Sequence, residues 1–297
     1  MTQNNLVVSN DSTISIYDLS TNQITNTITN FTNINCIYVL SNNLYVSSNS
    51  DIYVYNLSTN QITNTITGFN EPTSLAVSPD GNYLYVINLS VLYIINLSNN
   101  ETIYSVYVIG SYGMTISPDG DYLYITNYDG GPNSFITQFN TSTNEINPFY
   151  TNEINPFSGN DIAVYGDGIT ISPNGNYLYI TNSVNNLNEI LVYDLSTNEI
   201  TNTIEGFNNP DNSSDALTIS PDGDYLYIAN YGNSTISIYD LSTNQITNTI
   251  TGFNRPNGIS YYVSNDPEPP IITTQNYDFG YTKTRIFSRI NGKDNIF

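Results

Sequence analysis

The sequence predicts an all-β fold, built from repeats of one unit that forms a small antiparallel sheet. Three observations support this prediction. Residues 12–29 and 234–251 are identical, and four diverged copies of the unit lie between them at intervals of roughly 40 residues. Runs rich in Ile, Tyr, Thr and Leu alternate with turn sequences such as Pro-Asp-Gly and Ser-Thr-Asn. No segment shows sustained helical periodicity, so essentially no helix is expected.

Residues 216–250 show the organisation of one unit. Four short β-type runs are separated by a Pro-Asp-Gly turn at 221–223, a loop, and a polar turn at 242–244. In the run 225–228, Tyr alternates with Leu and Ile, so both faces of the sheet can be buried. Sheets covered on both faces are what stacked blades require. The sequence therefore predicts a single β-propeller of four-stranded antiparallel blades.

The number of blades follows from counting strands, which we label A to D from the propeller axis outward. Candidate A strands lie near 34–40, 73–78, 112–117, 168–172, 216–220 and 257–262. The chain opens at a B strand, so we expect the last A strand to join the N-terminal B, C and D strands and close the ring. This count favours six blades. Seven blades remain the alternative, because residues 263–266 echo residues 8–11.

The repeat carries recognisable motifs. Four Ser-Pro-Asp/Asn-Gly turns, at 78–81, 117–120, 172–175 and 220–223, each precede a Tyr-Leu-Tyr-Ile/Val strand, and Tyr-Ile-Thr-Asn occurs at 124–127 and 179–182. With the Asp-Leu-Ser-Thr-Asn element, these motifs resemble the repeat of the YVTN family of β-propellers over residues 6–262. The second copy departs from the pattern, with Leu-Ser-Asn-Asn at 40–43. The resemblance implies a propeller related to surface-layer and envelope scaffolds.

Composition narrows the classes of function. The chain has five basic and 26 acidic residues and no histidine, with a net charge of −21. The absence of His excludes Ser-His-Asp and Cys-His nucleophile systems and any His-ligated metal. An anionic body repels phosphate backbones, which argues against nucleic-acid binding. The lone Cys36 is interpreted as a small buried thiol.

Topology sorts the connections between strands into two faces. The A–B and C–D turns share one face, here called the turn face, and their sequences are monotonous. The B–C and D–A connections share the opposite face, here called the loop face, where the copies differ and where we expect function. Asp80, Asp119 and Asp222 on the turn face are interpreted as structural turn residues. The predicted interaction residues on the loop face are Glu71, Asp129, Phe149, Phe157, Asp161, Asp167, Glu205, Asp211 and Asp215.

Two functional classes compete for these residues. The favoured one is a non-enzymatic interaction or structural scaffold that needs no cofactor and binds a basic protein surface or another copy of the chain. The alternative is a Ca²⁺-dependent hydrolase acting on lactones or esters, with carboxylates at the channel mouth, because Ca²⁺ prefers several oxygen ligands.

Residues 263–297 are predicted to form a separate tail after the propeller of residues 1–262. A Pro-rich stretch precedes Lys283, Arg285, Arg289 and Lys293, four of the five basic residues in the chain. The tail is either a basic arm that docks an acidic surface, or an outer strand or frayed end. The N-terminus lacks the pattern of a signal peptide, and no apolar run approaches the length of a membrane span. We therefore expect a location in the cytoplasm or within an assembly such as a virion.

Overall fold

The computed structural model describes residues 3–128, 134–148, 168–182, 189–207, 217–264, 287–290 and 293–296. In this part of the chain, six four-stranded antiparallel sheets form the blades of a β-propeller. Blade 1 contains β1 (Gln3–Ser9), β2 (Ile14–Asp18) and β3 (Gln23–Ile28). Blade 2 contains β4 (Ile34–Leu40), β5 (Asn43–Ser48), β6 (Asp51–Asn56) and β7 (Gln61–Ile66). Blade 3 contains β8 (Ser74–Val77), β9 (Tyr83–Asn88), β10 (Val91–Asn96) and β11 (Glu101–Tyr107). Blade 4 contains β12 (Ser111–Ile116), β13 (Tyr122–Tyr128), β14 (Ser134–Asn140) and β15 (Ile146–Pro148). Blade 5 contains β16 (Ile169–Ile171), β17 (Tyr177–Asn182), β18 (Glu189–Asp194) and β19 (Glu199–Ile204). Blade 6 contains β20 (Leu217–Ile219), β21 (Tyr225–Asn230), β22 (Thr235–Asp240) and β23 (Gln245–Ile250).

The ring closes as the sequence predicts. The last inner strand, β24 (Gly258–Ser264), pairs antiparallel with β1, so blade 1 has the order β24-β1-β2-β3. The inner strands β4, β8, β12, β16, β20 and β24 contact one another in a closed cycle around the axis. The six-blade prediction and the closure by a C-terminal A strand are therefore confirmed.

The apolar core is divided among the blade interfaces, and each of the six interfaces holds its own cluster. The B strands lie at the centre of these clusters. Leu6 and Val7 are both fully buried but belong to different clusters, and the same holds for Val86 and Ile87. Adjacent residues of one strand therefore pack on opposite neighbouring blades. This explains why the strands read as continuous apolar runs rather than as apolar-polar alternation.

Aromatic rings reinforce several interfaces at the outer strands. Phe31 follows strand D of blade 1, and its ring centroid lies 6.2 Å from that of Tyr55 in strand C of blade 2. The same pairing places Phe207 6.4 Å from Tyr239, and Phe253 6.0 Å from Tyr17 across the closure of the ring. Each Phe thus links the end of one blade to the next blade.

The C–D turns are Asx turns that fix their own geometry. In blade 1, Oδ1 of Asp18 accepts hydrogen bonds from the backbone N–H of Ser20 at 2.7 Å and from its hydroxyl at 2.6 Å. Asn22 then takes the left-handed conformation that Asn tolerates, with φ of 56°. Leu19, between them, donates its N–H to the carbonyl of Asn4 at 3.0 Å. The turn is thereby fixed to strand B of its own blade.

Strand D forms the outer edge of each blade and is protected against pairing with other chains. In blades 1, 2, 3, 5 and 6 its pairing with strand C contains a register shift of the β-bulge type. Polar side chains also cover this edge, and Asn64 and Asn100 of adjacent blades exchange amide hydrogen bonds of 2.8 and 3.0 Å. Bulges and polar edges are standard protection for an exposed strand.

The described tail residues form a hairpin of β25 (Phe287–Ile290) and β26 (Lys293–Ile296). This hairpin is a separate two-stranded sheet and adds no strand to a blade. A 3₁₀ turn at Tyr231–Asn233 is the sole helical element in the described ranges. No helix in these ranges has the length and apolarity needed to cross a membrane.

Candidate functional site

The antiparallel order of every blade sets the two faces of the propeller as the sequence predicts. The A–B and C–D turns lie on the turn face, and the B–C and D–A connections lie on the loop face. Of the predicted interaction residues on the loop face, the structure describes Glu71 and Glu205, which are both exposed. In the tail, Arg289 and Lys293 lie in the hairpin, where their Cα partners are Asp294 and Ile290. The other predicted residues lie outside the described ranges: Asp129, Phe149, Phe157, Asp161, Asp167, Asp211, Asp215, Lys283 and Arg285.

Hydrogen bonds hold Glu71 in a defined position on the loop face. The preceding residue, Asn70, donates its N–H to Oδ1 of Asn88 at 3.3 Å and accepts a bond from Nδ2 of Asn88 at 2.6 Å. Glu71 itself has a φ of 53°, and Pro72 follows it. Because Asn88 ends strand B of blade 3, these bonds place the exposed carboxylate of Glu71 beside the B–C turn of that blade.

The B–C turn of blade 3 begins an exposed apolar surface. Leu89 and Ser90 form this two-residue turn, with φ of 51° and 61°, and Leu89 is 67% exposed. Tyr107, 64% exposed, ends the adjacent strand D, and the next residue, Val108, donates its N–H to the carbonyl of Ser90 at 2.8 Å. Large apolar side chains are uncommon at such turn positions, where Asn and Gly are favoured.

The apolar surface continues toward blade 4. Ile109 and Tyr112 are also exposed, and the carbonyl of Ile109 accepts a 2.8 Å bond from Nδ2 of Asn127 in strand B of blade 4. We call Leu89, Tyr107, Ile109 and Tyr112 the loop-face patch. Contiguous exposed apolar surface rimmed by polar residues is typical of interaction sites.

The central channel has a different character. A cavity of about 470 Å³ is lined by the inner strands and by A–B turn residues, so it opens toward the turn face. Hydroxyls line it: Thr218 accepts from the N–H of Tyr261 at 3.1 Å, and Ser260 accepts from the N–H of Val39 at 3.2 Å. No carboxylate is among the described residues that line this cavity.

The described carboxylates of the turn face are held by turn hydrogen bonds. The hydroxyl of Ser117 donates to Oδ1 of Asp119 at 2.5 Å, and the same hydrogen bond is the main cause that lowers the pKa of Asp119. Equivalent bonds from Ser78 and Ser220 lower the pKa values of Asp80 and Asp222. The interpretation of these three residues as turn residues agrees with the structure. Within the described ranges, no three Asp, Glu, Cys or His side chains come together as a metal site would require.

Comparison with known families gives one match, over part of the chain. Residues 151–258 match the model of a lactonase family described as a seven-bladed β-propeller. The match covers about a third of the chain. The chain is thus similar to that family over this segment. No curated protein matches the chain.

Solved structures share the fold at low sequence identity. A structure of a nidogen/laminin complex is 14% identical and superposes with a TM-score of 0.67, covering 88% of this chain and 98% of that one. A functionally unknown protein from Desulfotomaculum acetoxidans is 13% identical with a TM-score of 0.64, covering 87% and 98%. Hydrazine synthase of Kuenenia stuttgartiensis is 19% identical with a TM-score of 0.57, covering 80% and 74%. At these identities the likeness shows a propeller fold alone.

Sequence reasoning missed the loop-face patch, although a signal was present. The chain between β9 and β10 reads Asn-Leu-Ser-Val, whereas the equivalent turn of blade 2 reads Ser-Asn-Ser-Asp. A Leu in a two-residue turn conflicts with the preference for Asn and Gly there. Only the structure shows that Tyr107, Ile109 and Tyr112 lie on the same surface.

Proposed function

We propose that this propeller is a protein-interaction scaffold that binds its partner through the loop-face patch and the acidic loops around it. The observation that supports the proposal is the exposure of Leu89 and Tyr107 on the face where the repeats diverge. Aromatic and aliphatic anchors of this kind form the centre of protein interfaces. Residues in the blade cores cannot serve, because they are buried between neighbouring blades.

Charge defines the kind of partner. Glu71 lies beside the patch with an exposed carboxylate, and the whole chain carries a net charge of −21. A partner with an apolar centre and a basic rim fits such a surface, since opposite charges at the rim steer association. Phosphate backbones of nucleic acids would be repelled by the same charge.

Site-specific photo-crosslinking in the source cells tests the proposal. A benzoyl-phenylalanine replaces Tyr107 in one variant and Ile62, exposed on the outer edge of blade 2, in the control variant. We expect a discrete crosslinked protein from position 107 that is absent from position 62 and is lost when Ile109→Asn is added. Equal crosslinking from both positions, or none from 107, would overturn the proposal.

The basic tail is proposed as a second contact of the scaffold. It brings Lys283, Arg285, Arg289 and Lys293 to a body that is otherwise almost devoid of basic residues. An acidic surface of a neighbouring copy is a suitable target for it. Removal of residues 282–297 should lower the mass of any self-associated species in sedimentation at low salt. An unchanged mass distribution would refute a role of the tail in self-association.

The lactonase match favours a second candidate, a Ca²⁺-dependent hydrolase of lactones or esters. Five of the predicted loop-face acids lie within the matched segment: Asp161, Asp167, Glu205, Asp211 and Asp215. Bound Ca²⁺ would polarise the carbonyl of the substrate. Millimolar Ca²⁺ should then raise the melting temperature of the protein, and Asp167→Asn should reduce that shift. A melting temperature that Ca²⁺ does not change, together with no turnover of a lactone or ester, would contradict this candidate.

A further inference from the structure

One blade interface differs from the other five at the second residue of the C–D turn. In five blades the second residue of the C–D turn is a Leu that packs into the cluster shared with the preceding blade; these are Leu19, Leu57, Leu97, Leu195 and Leu241. In blade 4 this position is Thr141, whose hydroxyl instead donates to the carbonyl of Gly120 at 2.7 Å. The interface between blades 3 and 4 therefore lacks the side chain that fills the others.

A cleft lies at this interface, open to the turn face. Its volume is about 420 Å³, within the range of small-molecule sites. Tyr85 and Ile94 of blade 3 line it together with Thr141, while Asp80 and Asp119 belong to the A–B turns that flank it. Tyr85 corresponds to Tyr124 in blade 4, which shares its cluster with Leu195 of blade 5. In blade 3 the equivalent ring meets a hydroxyl rather than a Leu.

Two further departures from the repeat line the same cleft. At the bulge of strand D, Thr63 of blade 2 bonds back to the carbonyl of Val54 at 3.1 Å, but blade 3 has Ile103 there, 54% exposed. The next position, Asn64 in blade 2, is Tyr104 in blade 3. Three positions that depart from the repeat therefore line the same cleft. Random substitution at unrelated positions does not explain why all three lie together.

The chemistry of the lining selects the charge of a ligand. Carboxylates, tyrosine rings and aliphatic side chains line the cleft, and no Lys or Arg is among its lining residues in the described part of the chain. Oδ1 of Asp119 accepts both of its described hydrogen bonds, from Ser117 and from the N–H of Asp121, so Oδ2 is left to a ligand. Burial, with the negative charge of Asp80, also raises the pKa of Tyr85 to about 12, as expected where the local field disfavours added negative charge.

We propose that the cleft between blades 3 and 4 binds an alkylammonium group, with its ammonium at Asp119 and its aliphatic chain against Tyr104, Ile94 and Tyr85. The carboxylate of Asp119 attracts the ammonium, and the aliphatic chain gains from apolar contact with the tyrosine rings and Ile94. The group belongs either to a free amine or to a Lys side chain of a bound protein. The proposal concerns the turn face and does not depend on the loop-face patch.

The test measures binding of pentylammonium by saturation-transfer NMR at physiological salt, with 1-pentanol as the neutral probe. Thr141→Leu restores the residue of the other five blades and leaves the net charge unchanged, so diffuse attraction to the anionic surface persists in this variant. We expect saturable binding to the wild-type protein, at least tenfold weaker in Thr141→Leu, and weaker for 1-pentanol. Asp119→Asn should weaken the binding of pentylammonium but not that of 1-pentanol.

Leu195→Thr, which opens the interface between blades 4 and 5, is the matched control and should leave binding of pentylammonium unchanged. A third probe, the peptide acetyl-Gly-Lys-Gly-amide, separates the two sources: tighter binding of the peptide indicates a Lys side chain, and weaker binding indicates a free amine. The proposal would be overturned if wild type and Thr141→Leu bound pentylammonium equally. It would also be overturned if the wild-type protein bound 1-pentanol as tightly as pentylammonium, or showed no saturable binding of pentylammonium.

Discussion

Asn257 and Ser9, which are 248 residues apart in the chain, hold each other at the point where the ring closes. The N–H of Asn257 donates to the carbonyl of Ser9 at 2.9 Å, and the hydroxyl of Ser9 donates to Oδ1 of Asn257 at 3.1 Å. Nδ2 of Asn257 also donates to the carbonyl of Ile34, in strand A of blade 2, at 3.2 Å. One side chain thus joins the last inner strand, the first B strand and the second blade.

Replacing Asn257 by Ala should therefore destabilise the closed ring. The change leaves the largely buried hydroxyl of Ser9 and the carbonyl of Ile34 without these partners, which costs about 1–3 kcal/mol of the free energy of unfolding. Urea unfolding followed by far-UV circular dichroism measures this loss. Asn254→Ala, at an exposed position three residues earlier, is the control and should change the midpoint little. Equal midpoints for the two variants would contradict the role given to Asn257.

Gly120 is required by two separate constraints, and a neighbouring repeat allows them to be separated. Its φ is 83°, and a Cβ there would lie 3.0 Å from Cδ of Pro79 in the preceding blade. Gly81 has a similar φ of 74°, but the nearest atom to its Cβ would be 3.8 Å away. Gly81→Ala should cost about 1–2 kcal/mol from backbone strain alone. Gly120→Ala should cost about 1–2 kcal/mol more, because the rigid ring of Pro79 must move.

Thermal unfolding of the two glycine variants checks this difference. Both variants should unfold cooperatively, with Gly120→Ala melting below Gly81→Ala. A Gly81→Ala variant as unstable as Gly120→Ala would mean that backbone conformation, not contact between blades, accounts for both glycines.

The turn carboxylates should make stability depend on pH in the acid range. The hydrogen bond from Ser220 lowers the pKa of Asp222 in the folded protein. The stability that this provides is fully present above the unfolded pKa of about 3.9, and it is lost as the pH falls from there through the lowered folded pKa. Asp222→Asn removes the titration and keeps an acceptor oxygen, as Asn174 shows in blade 5, where its Oδ1 accepts from Ser172 at 2.7 Å.

The difference in unfolding free energy between wild type and Asp222→Asn should thus be constant from pH 5 to 8 and should shrink below pH 4. Denaturant unfolding at a series of pH values gives this difference directly. A difference that stays constant down to pH 2 would show that Asp222 titrates alike in the folded and unfolded states.

The fold was predictable from the sequence because the strands and turns recognised in one repeat recur in every other repeat, and so define the whole ring. The Ser-Pro-Asp-Gly and Leu-Ser-Thr-Asn turns mark the ends of strands, and their spacing fixes the blade count and the closure by residues 258–264. The two sites were not predictable in the same way. Thr141 is a polar residue in a polar turn and so does not stand out in the sequence. Whether it opens a cleft depends on which side chain of the preceding blade it contacts. That relation between blades is set by packing, which the repeat pattern alone does not give.

Leu89 is the residue whose local conformation conflicts most clearly with its identity. It has a φ of 51° in a turn where both central residues have positive φ, the form of a type I′ turn. Asn adopts this conformation more easily than Leu, and 67% of the Leu side chain is exposed, so little packing is lost on substitution. Leu89→Asn should therefore stabilise the protein, by about 0.5–1 kcal/mol, while removing one apolar side chain from the loop-face patch.

The two effects of Leu89→Asn can be measured independently. Denaturant unfolding should show the gain in stability, and crosslinking from benzoyl-phenylalanine at position 107 should show the loss of partner contact. Stabilisation with undiminished crosslinking would mean that Leu89 is dispensable for the interface. Lower stability together with weaker crosslinking would indicate a damaged turn. If Leu89→Asn raises stability and weakens crosslinking, Leu89 contributes to binding at the expense of stability, because proteins commonly trade stability for function at such positions.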